Sequence, residues 1–243
     1  MSRVRQTEGH LGSRSSKIFY GWWIVLAGAF GTALAASLNF YGFSAFFVSL
    51  TREFGWSRSA LSGVFSLSQL EGGILGPVEG YLTDKFGTRK MMLLGIPLMA
   101  VGFILFSRIN SLLSLYLVYI PVIAVGAGLG FFTPVSAAAA NWFNKRRSMA
   151  FGIVMSGVAV GGAIILPLLG WWISYFGWRH AAVAAGVLTL VVGLPVAFVV
   201  RHRPEDYGYL PDGARPVSKH NTATVEASAY EPSVPASDPA EFR

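Results

Sequence analysis

Residues 80–90 read GYLTDKFGTRK and form a short charged island between two long apolar runs. A hairpin of this kind can be an ordinary positively charged anchor at a membrane surface, or a more specialised device. The sequence on either side of it decides between the two. The charged and glycine positions in question are Gly80, Asp84, Lys85, Gly87, Arg89 and Lys90.

The composition indicates a membrane protein. Of the 243 residues 53% are hydrophobic and 13% are charged, and the mean hydropathy is +0.52, which is unusual for a soluble domain. The net charge of +7 lies in short gaps between apolar segments, so we expect no nucleic acid partner. The chain has no cysteine, which excludes disulfides, thiolate metal sites and cysteine nucleophiles.

Six apolar stretches are long enough for a helix to cross about 30 Å of hydrocarbon, and they lack the alternating pattern of a membrane β-barrel. The first stretch contains Ala33-Leu34-Ala35, which resembles a signal-peptide cleavage site. It continues to about residue 50, so we favour an uncleaved helix. The predicted spans are 20–48, 59–82, 91–107, 112–140, 148–173 and 178–200.

Lysine and arginine set the expected orientation. They concentrate before the first span, in alternate loops and after the last span, which places both termini in the cytoplasm and the chain in the cell (inner) membrane. From residue 204 onward the chain is rich in Pro, Ser, Ala, Glu and Asp, a composition typical of disorder. We therefore predict a cytoplasmic tail at 1–19, a six-helix bundle at 20–203 and a disordered cytoplasmic tail at 204–243.

Glycines spaced four residues apart occur in three of the spans. Such small residues allow neighbouring helix backbones to approach closely, either in fixed packing or in seams that slide. Both interpretations remain open from sequence. The sets are Gly72, Gly76 and Gly80; Gly126 and Gly130; and Gly157 and Gly161.

Two glutamates lie in the second span. Glu71 is near its middle, and an ionised carboxylate facing lipid there would cost about 3 kcal/mol or more, so we expect it to face the bundle interior, a water-filled cavity or a partner. A proton-carrying or substrate-facing role and a structural hydrogen bond both remain open. Glu79 is nearer the cytoplasmic edge, where we expect a structural pairing with Lys85.

Motifs of several enzyme classes are missing. There is no GxxxxGK[ST] phosphate loop and no metal-ligand spacing such as HExxH. Ser156-Gly157 could suggest a rhomboid-like serine, but Val154 stands where its first glycine belongs. We expect no enzyme, no cofactor and no metal.

The charged island resembles the G-x-L-x-D-r-x-G-r-k signature of the major facilitator superfamily, at the place where that family carries it, after the second helix. The match comprises Gly80, Leu82, Asp84, Gly87, Arg89 and Lys90. The resemblance implies a gating role for the island, including Lys85: a cytoplasmic latch, with Asp84 able to accept bonds from Arg89, that breaks when two transporter halves rock.

Three further stretches are similar to monocarboxylate porters and oxalate:formate antiporter-like members of that superfamily. They are WFNKRRSMAFGIVMSGVAVGG at 142–162, FGWRHA at 176–181 and RPEDYGYLPDG at 203–213. The resemblance implies secondary transport of small organic anions, monocarboxylates or dicarboxylates, by alternating access. One departure is Tyr41, which stands about where animal carriers place a lysine.

The superfamily uses twelve helices in two halves, and the resemblance covers the first half. We therefore expect either a truncated transporter whose second half is missing or a homodimer that replaces it. A non-transporting membrane protein that assembles with another chain is the alternative from a different class. From helix position and polarity, the substrate-binding candidates are Asn39, Tyr41, Phe43, Gln69, Glu71, Phe131, Phe132, Thr133 and Ser156.

Overall fold

The computed structural model describes residues 19–207 and residue 212, so most of the two predicted tails lies outside the described residues. Six long helices, one at each predicted span, confirm the all-α fold. The first, α1, is α-helical except for one π-helical turn. The helices are α1 (Tyr20–Phe54), α2 (Arg58–Phe86), α3 (Thr88–Phe106), α4 (Leu112–Trp142), α5 (Arg147–Phe176) and α6 (Trp178–Val199).

Five of these helices, all except α2, are long and apolar enough to span a membrane. The remaining helix has 29 residues, which corresponds to about 43 Å at 1.5 Å per residue. Its length therefore suffices, and Glu71, Glu79 and several glycines make it the more polar member of the bundle.

Two of the helices, α2 and α4, begin with a polar cap. Ser57 starts α2 by accepting a hydrogen bond from the backbone N–H of Ala60, and Ser111 and Ser114 form a capping box at the start of α4. These side chains satisfy backbone donors that a helix start leaves open. The predicted boundaries differ from the observed ones mainly in α1, which continues to Phe54 because its last turns are amphipathic rather than uniformly apolar.

The main helix contacts are those of α3 with α4 and α6, of α1 with α5, and of α2 with α4. Glycines make several of these contacts close. A Cβ on Gly161 would lie 2.5 Å from the Ala33 carbonyl oxygen, and one on Gly126 would lie 2.5 Å from the backbone nitrogen of Met99. Two of the three predicted glycine sets therefore line helix contacts. In contrast, a Cβ added at Gly72, Gly76 or Gly80 of α2 would meet no atom of another helix within 4 Å among the described residues.

Three π-helical turns interrupt α1 and α4, and nothing in the sequence pattern indicates them. One is Ala36–Tyr41 in α1; the other two, Tyr119–Ala124 and Gly128–Phe132, are in α4. Such turns are rare and occur frequently at functional sites, where the extra residue disturbs the regular hydrogen-bond ladder.

Two connections consist of one glycine in a positive-φ conformation. Gly87 joins α2 to α3 with φ 89°, and Gly177 joins α5 to α6 with φ 81°, a region that glycine enters without steric cost. Each glycine follows a phenylalanine and precedes an arginine by two positions, which gives FGTR at 86–89 and FGWR at 176–179. The up-and-down course of the helices places these turns at opposite ends of the bundle.

Candidate functional site

A buried carboxylate connects α2 to the irregular part of α4. Glu79 is 5% exposed, and one of its oxygens accepts a hydrogen bond of 2.7 Å from the Thr133 hydroxyl. Its carboxylate lies against Gly128, where a Cβ would collide with it. The expected pairing with Lys85 is wrong, because the Lys85 ammonium lies over the Tyr81 and Phe86 rings instead.

Two polar oxygens near the middle of the bundle are buried without a hydrogen-bond partner among the described residues. They are Oε1 of Glu71 on α2 and Oδ1 of Asn39 in the π-helical turn of α1. Buried polar atoms of proteins are nearly always paired, and lipid offers no replacement for water. These two oxygens are therefore buried polar positions whose hydrogen-bond partners the described residues do not supply.

The other substrate-binding candidates occupy three kinds of environment. Gln69 and Ser156 are exposed, and the Ser156 hydroxyl donates to the Gly152 carbonyl of its own helix at 2.8 Å. Tyr41, Phe132 and Thr133 are half-buried.

Phe43 and Phe131 lie in the core. The ring of Phe43 packs against Phe65 and Tyr119, with centroids 5.6 Å and 4.8 Å away. Phe131 is fully buried, next to Gly31 and Gly193. Both side chains therefore belong to the core of the bundle and are not exposed.

At the end where α2 meets α3, a cavity of about 660 Å³ opens between α2, α4 and α5. Asp84, an exposed acid, and Arg147, the first residue of α5, both line it. The cavity therefore holds one acid and one base at neighbouring helix ends. Its lining residues are Gly80, Asp84, Phe132, Thr133, Ser136, Ala137, Ala140, Asn141, Arg147 and Phe151.

The expected bond between Asp84 and Arg89 does not form among the described residues. Arg89 lies in the first turn of α3, and its guanidinium stacks 4.7 Å from the centre of the Phe198 ring on α6. That contact draws the arginine toward α6 and away from α2. Gly87 provides the turn between them, and Lys90 is exposed.

The segment after α6 folds back over the same end of the bundle. The Arg201 guanidinium lies between the rings of Tyr20 and Tyr207, 4.3 Å and 4.1 Å from their centres, and its carbonyl accepts a hydrogen bond from Trp142 at 3.0 Å. Pro204 is buried and Glu205–Tyr207 form a 3₁₀ turn. The predicted disordered tail thus begins with structured residues.

Asp212 binds the loop that precedes α5. Its carboxylate accepts hydrogen bonds from the backbone N–H groups of Asn144, Lys145 and Arg146, at 3.0, 2.6 and 3.3 Å. Partial burial raises the pKa of the Asp212 carboxyl, but these three bonds and the Arg146 charge outweigh it and hold the pKa below its usual value.

The opposite end is closed by another cluster. The Glu53 carboxylate at the end of α1 accepts hydrogen bonds from the Trp178 indole and the Arg179 guanidinium at the start of α6. Arg179 also reaches the loop between α3 and α4 through the Ile109 carbonyl. Helices α1, α3 and α6 are thereby linked at this end.

Sequence reasoning misses the partners of three polar residues: Thr133 for Glu79, the Asn39 carbonyl for the Tyr119 hydroxyl, and the loop amides before α5 for Asp212. Glu79 reads as a residue of the membrane edge, although its spacing of eight residues from Glu71 places both acids on related faces of α2. Tyr119 gives no signal beyond being a tyrosine in an apolar run. Asp212 belongs to the RPEDYGYLPDG stretch, whose composition is that of a disordered tail. Residues 19–207 and 212 contain no group of His, Asp and Glu that could hold a metal ion.

Comparison with known proteins agrees with this architecture. Residues 29–232 match the family model described as Major Facilitator Superfamily. Monocarboxylate transporter 13 of Bos taurus is 32% identical over 174 residues, which cover 70% of this chain and 40% of that protein. Monocarboxylate transporter 12 of Mus musculus is 31% identical over 178 residues, covering 71% and 36%.

Solved structures show the same fold. A bacterial homologue of the human drug peptide transporters has a TM-score of 0.65 and 25% identity, with 86% of this chain matching 47% of that one. A bacterial homologue of the lysosomal transporter Spinster has a TM-score of 0.62 and 22% identity, covering 88% and 50%. The chain thus spans half or less of the length of these relatives. Their names are those of transporters, in agreement with the expectation that the chain is not an enzyme, and the chain belongs to the Major Facilitator Superfamily.

Proposed function

We propose that this chain forms the N-terminal half of a secondary transporter that moves small organic anions, monocarboxylates or dicarboxylates, by alternating access. The observation that carries the proposal is the unfilled face of α2. There, a Cβ added at Gly72, Gly76 or Gly80 would meet no atom of another helix within 4 Å among the described residues, and Glu71 on the same helix has an unpartnered buried oxygen. Such a face suits a second half-bundle and a substrate held between the two.

The second half is either a further polypeptide segment or a second copy of this chain. Superfamily transporters place their substrate near the bilayer midplane, between two halves related by an axis along the membrane normal. A homodimer with that axis would reproduce this arrangement. The proposed membrane is the cell (inner) membrane, with both termini cytoplasmic, because the basic residues concentrate on that side.

The proposed substrate site lies on the polar positions of α1, α2 and α4. Asn39 and Glu71 offer unpartnered oxygens, and Thr133 of α4 lines the cavity between α2, α4 and α5. The middle of each span lacks lysine and arginine. In this proposal a carboxylate substrate takes its positive partner from the second half, because hydrogen bonds between a carboxylate and a cationic side chain are stronger than neutral ones.

Gating is assigned to the charged island that includes Gly80, Asp84 and Arg89. Asp84 shares a cavity with Arg147, so its carboxylate has a cation on a neighbouring helix toward which it can move. In this proposal the island holds the cytoplasmic side closed in one state and releases it in the other. Replacing Asp84 by Asn should therefore slow turnover, and unchanged turnover would refute the assignment.

Uptake of labelled lactate, oxalate and formate into liposomes tests the substrate class. The liposomes contain either this chain alone or any longer product of the same gene. Uptake that saturates and is competed by unlabelled substrate supports the proposal. Absence of uptake of all three anions by the longer product would reject the substrate class.

Glu71 is proposed to carry a proton during transport. The variant Glu71→Gln keeps the shape and removes the charge, so the pH dependence of uptake should flatten. The matched control is Glu205→Gln, an exposed glutamate outside the helices of the bundle. A pH dependence that is the same in Glu71→Gln as in the unmodified protein would exclude the proton-carrier role.

A further inference from the structure

Among the described residues, a hydrogen bond joins the π-helical turn of α1 to one of the π-helical turns of α4. The Tyr119 hydroxyl, at the start of the α4 turn, donates to the backbone carbonyl of Asn39 over 2.6 Å. Asn39 lies inside the α1 turn, Ala36–Tyr41. Tyr119 is 2% exposed, so this bond is sheltered from solvent.

A π-helical turn contains one residue more than the corresponding α-helical turn, and this extra residue disturbs the regular pairing of carbonyl and N–H groups. In a membrane helix the disturbed groups must find donors inside the protein, since lipid provides none. Tyr119 supplies such a donor from another helix. Without this donor, the backbone carbonyl and N–H groups of α1 are paired more completely in a regular α-helix than in the π-helical turn.

Closing the turn would change the orientation of everything beyond it. Because an α-helix advances about 100° per residue, closing the turn while the chain keeps every residue rotates the later part of the helix by that angle relative to the earlier part. Asn39, with its unpartnered side-chain oxygen, and the residues after it would then face different neighbours.

We propose that Tyr119 is a positioning residue that holds the π-helical turn of α1 open and so sets which side chains of α1 face the proposed substrate site. The link to substrate rests on the proposed function, whereas the effect on α1 does not. The Tyr119 ring also packs edge-on against Phe43, with centroids 4.8 Å apart. A phenylalanine at position 119 would keep that ring contact and lose the hydroxyl alone.

Cysteine labelling can read the orientation of α1 directly, because the natural chain has no cysteine. Ser44 is exposed and lines a cavity of about 310 Å³ with Ser62 and Ser66, whereas its neighbour Phe43 is buried. Single cysteines are placed at positions 43, 44 and 45 of the otherwise unchanged chain. A water-soluble thiol reagent should react fastest at position 44.

In the Tyr119→Phe background the fastest-reacting position should move from 44 to an adjacent residue. The matched control is Tyr116→Phe, one turn earlier in α4, whose hydroxyl donates to the Ala60 carbonyl at 2.9 Å outside any π-helical turn. It should leave the labelling pattern unchanged. An unchanged pattern in Tyr119→Phe, or an equal shift in both variants, overturns the proposal.

A second variant keeps the proposal testable if Tyr119→Phe folds poorly. Deleting Phe40, a 43% exposed residue of the π-helical turn, removes the extra residue, so a regular α-helix then holds positions 43–45 in their original orientation and position 44 should still react fastest. Tyr119→Phe added to this deletion should leave that pattern unchanged. A deletion that moves the fastest-reacting position, or a shift on adding Tyr119→Phe to it, overturns the proposal.

Transport provides a readout that general destabilisation would not give. In a transporting form of the protein, Tyr119→Phe should raise KM with kcat unchanged, because a misplaced cavity residue loses binding that is equal in the ground and transition states. Labelling needs no substrate, so a shifted pattern without uptake supports this inference while rejecting the proposed function. Normal uptake with an unchanged KM and pattern rejects the inference alone.

Discussion

The contact between α1 and α5 predicts opposite effects for two similar substitutions in α5. Gly161 lies against the Ala33 carbonyl of α1, and Gly170 has no atom within 4 Å of an added Cβ among the described residues. Replacing each glycine by alanine adds the same methyl group. The environments differ, so the stability changes should differ in sign.

The magnitude follows from the geometry. The added carbon in Gly161→Ala would lie 2.5 Å from the Ala33 oxygen, whereas ordinary contacts begin at 3.4 Å. The two helices must therefore separate by up to about 0.9 Å, and overpacking of this kind costs about 1–3 kcal/mol. The alanine recovers about 0.5–1 kcal/mol of helix propensity, which leaves a net loss of up to about 2.5 kcal/mol. Gly170→Ala keeps the gain without the collision.

Thermal unfolding in detergent, followed by the fluorescence of the seven tryptophans, measures both effects. One kcal/mol corresponds to about 2–4 °C in a protein of this size. Gly161→Ala should therefore melt up to about 10 °C lower than the unmodified chain, and Gly170→Ala about 1–4 °C higher. If Gly161→Ala melts at or above Gly170→Ala, the close α1–α5 contact is not as described.

Three further predictions concern polar contacts. Thr133→Val removes the donor to buried Glu79 and should lower the free energy of unfolding by about 1–3 kcal/mol, whereas Thr133→Ser keeps the hydroxyl and should retain most of that free energy. Equal losses in the two variants, measured by chemical denaturation, would contradict the hydrogen bond. The pKa of Asp212 is lowered, so its three hydrogen bonds should be intact above the usual Asp pKa of about 3.9 and should be lost as the pH falls through the lowered pKa. Hydrogen exchange of the three bonded amides measures this loss, and protection at pH 7 that Asp212→Ala leaves unchanged would refute it. Arg179 and Glu53 are 40% and 39% exposed, so Arg179→Gln should lower the free energy of unfolding by less than about 1 kcal/mol. A drop in melting temperature that corresponds to a larger loss would show that the pair is more buried than described.

The fold could be predicted because apolar length and charge placement are local properties of the chain. Each of the six spans forms one helix, and Gly87 ends α2 where the charged island indicates a turn. The polar contacts could not be predicted in the same way. Whether Glu79 finds Thr133 or Lys85 depends on how α2 and α4 are placed against each other, which the sequence of either helix does not contain.

The π-helical turns are invisible in the sequence for a related reason. One extra residue in a turn leaves the hydropathy of a uniformly apolar helix unchanged, and its hydrogen bonds are completed by residues far away, as Tyr119 does for Asn39. Likewise, the sequence predicts that Arg89 meets an acid nearby in the chain, and it instead stacks on Phe198 of α6. Long-range partners decide the position of each of these side chains.

The paired glycine connections show that this backbone corner is not specific to one face of the membrane. Within residues 19–207 the same corner occurs once at each end, so the lock that we propose at the α2–α3 end must owe its sidedness to what flanks the corner: Asp84 and Lys90 at that end, Ser174 and His180 at the other. The double variant Ser174→Asp and His180→Lys places the acid and the base at the α5–α6 end of the bundle. It should create a second lock there and shift a transporting form of the protein toward the state that is closed at that end. Equal thiol accessibility from both sides before and after the exchange would show that the flanking charges do not define the lock.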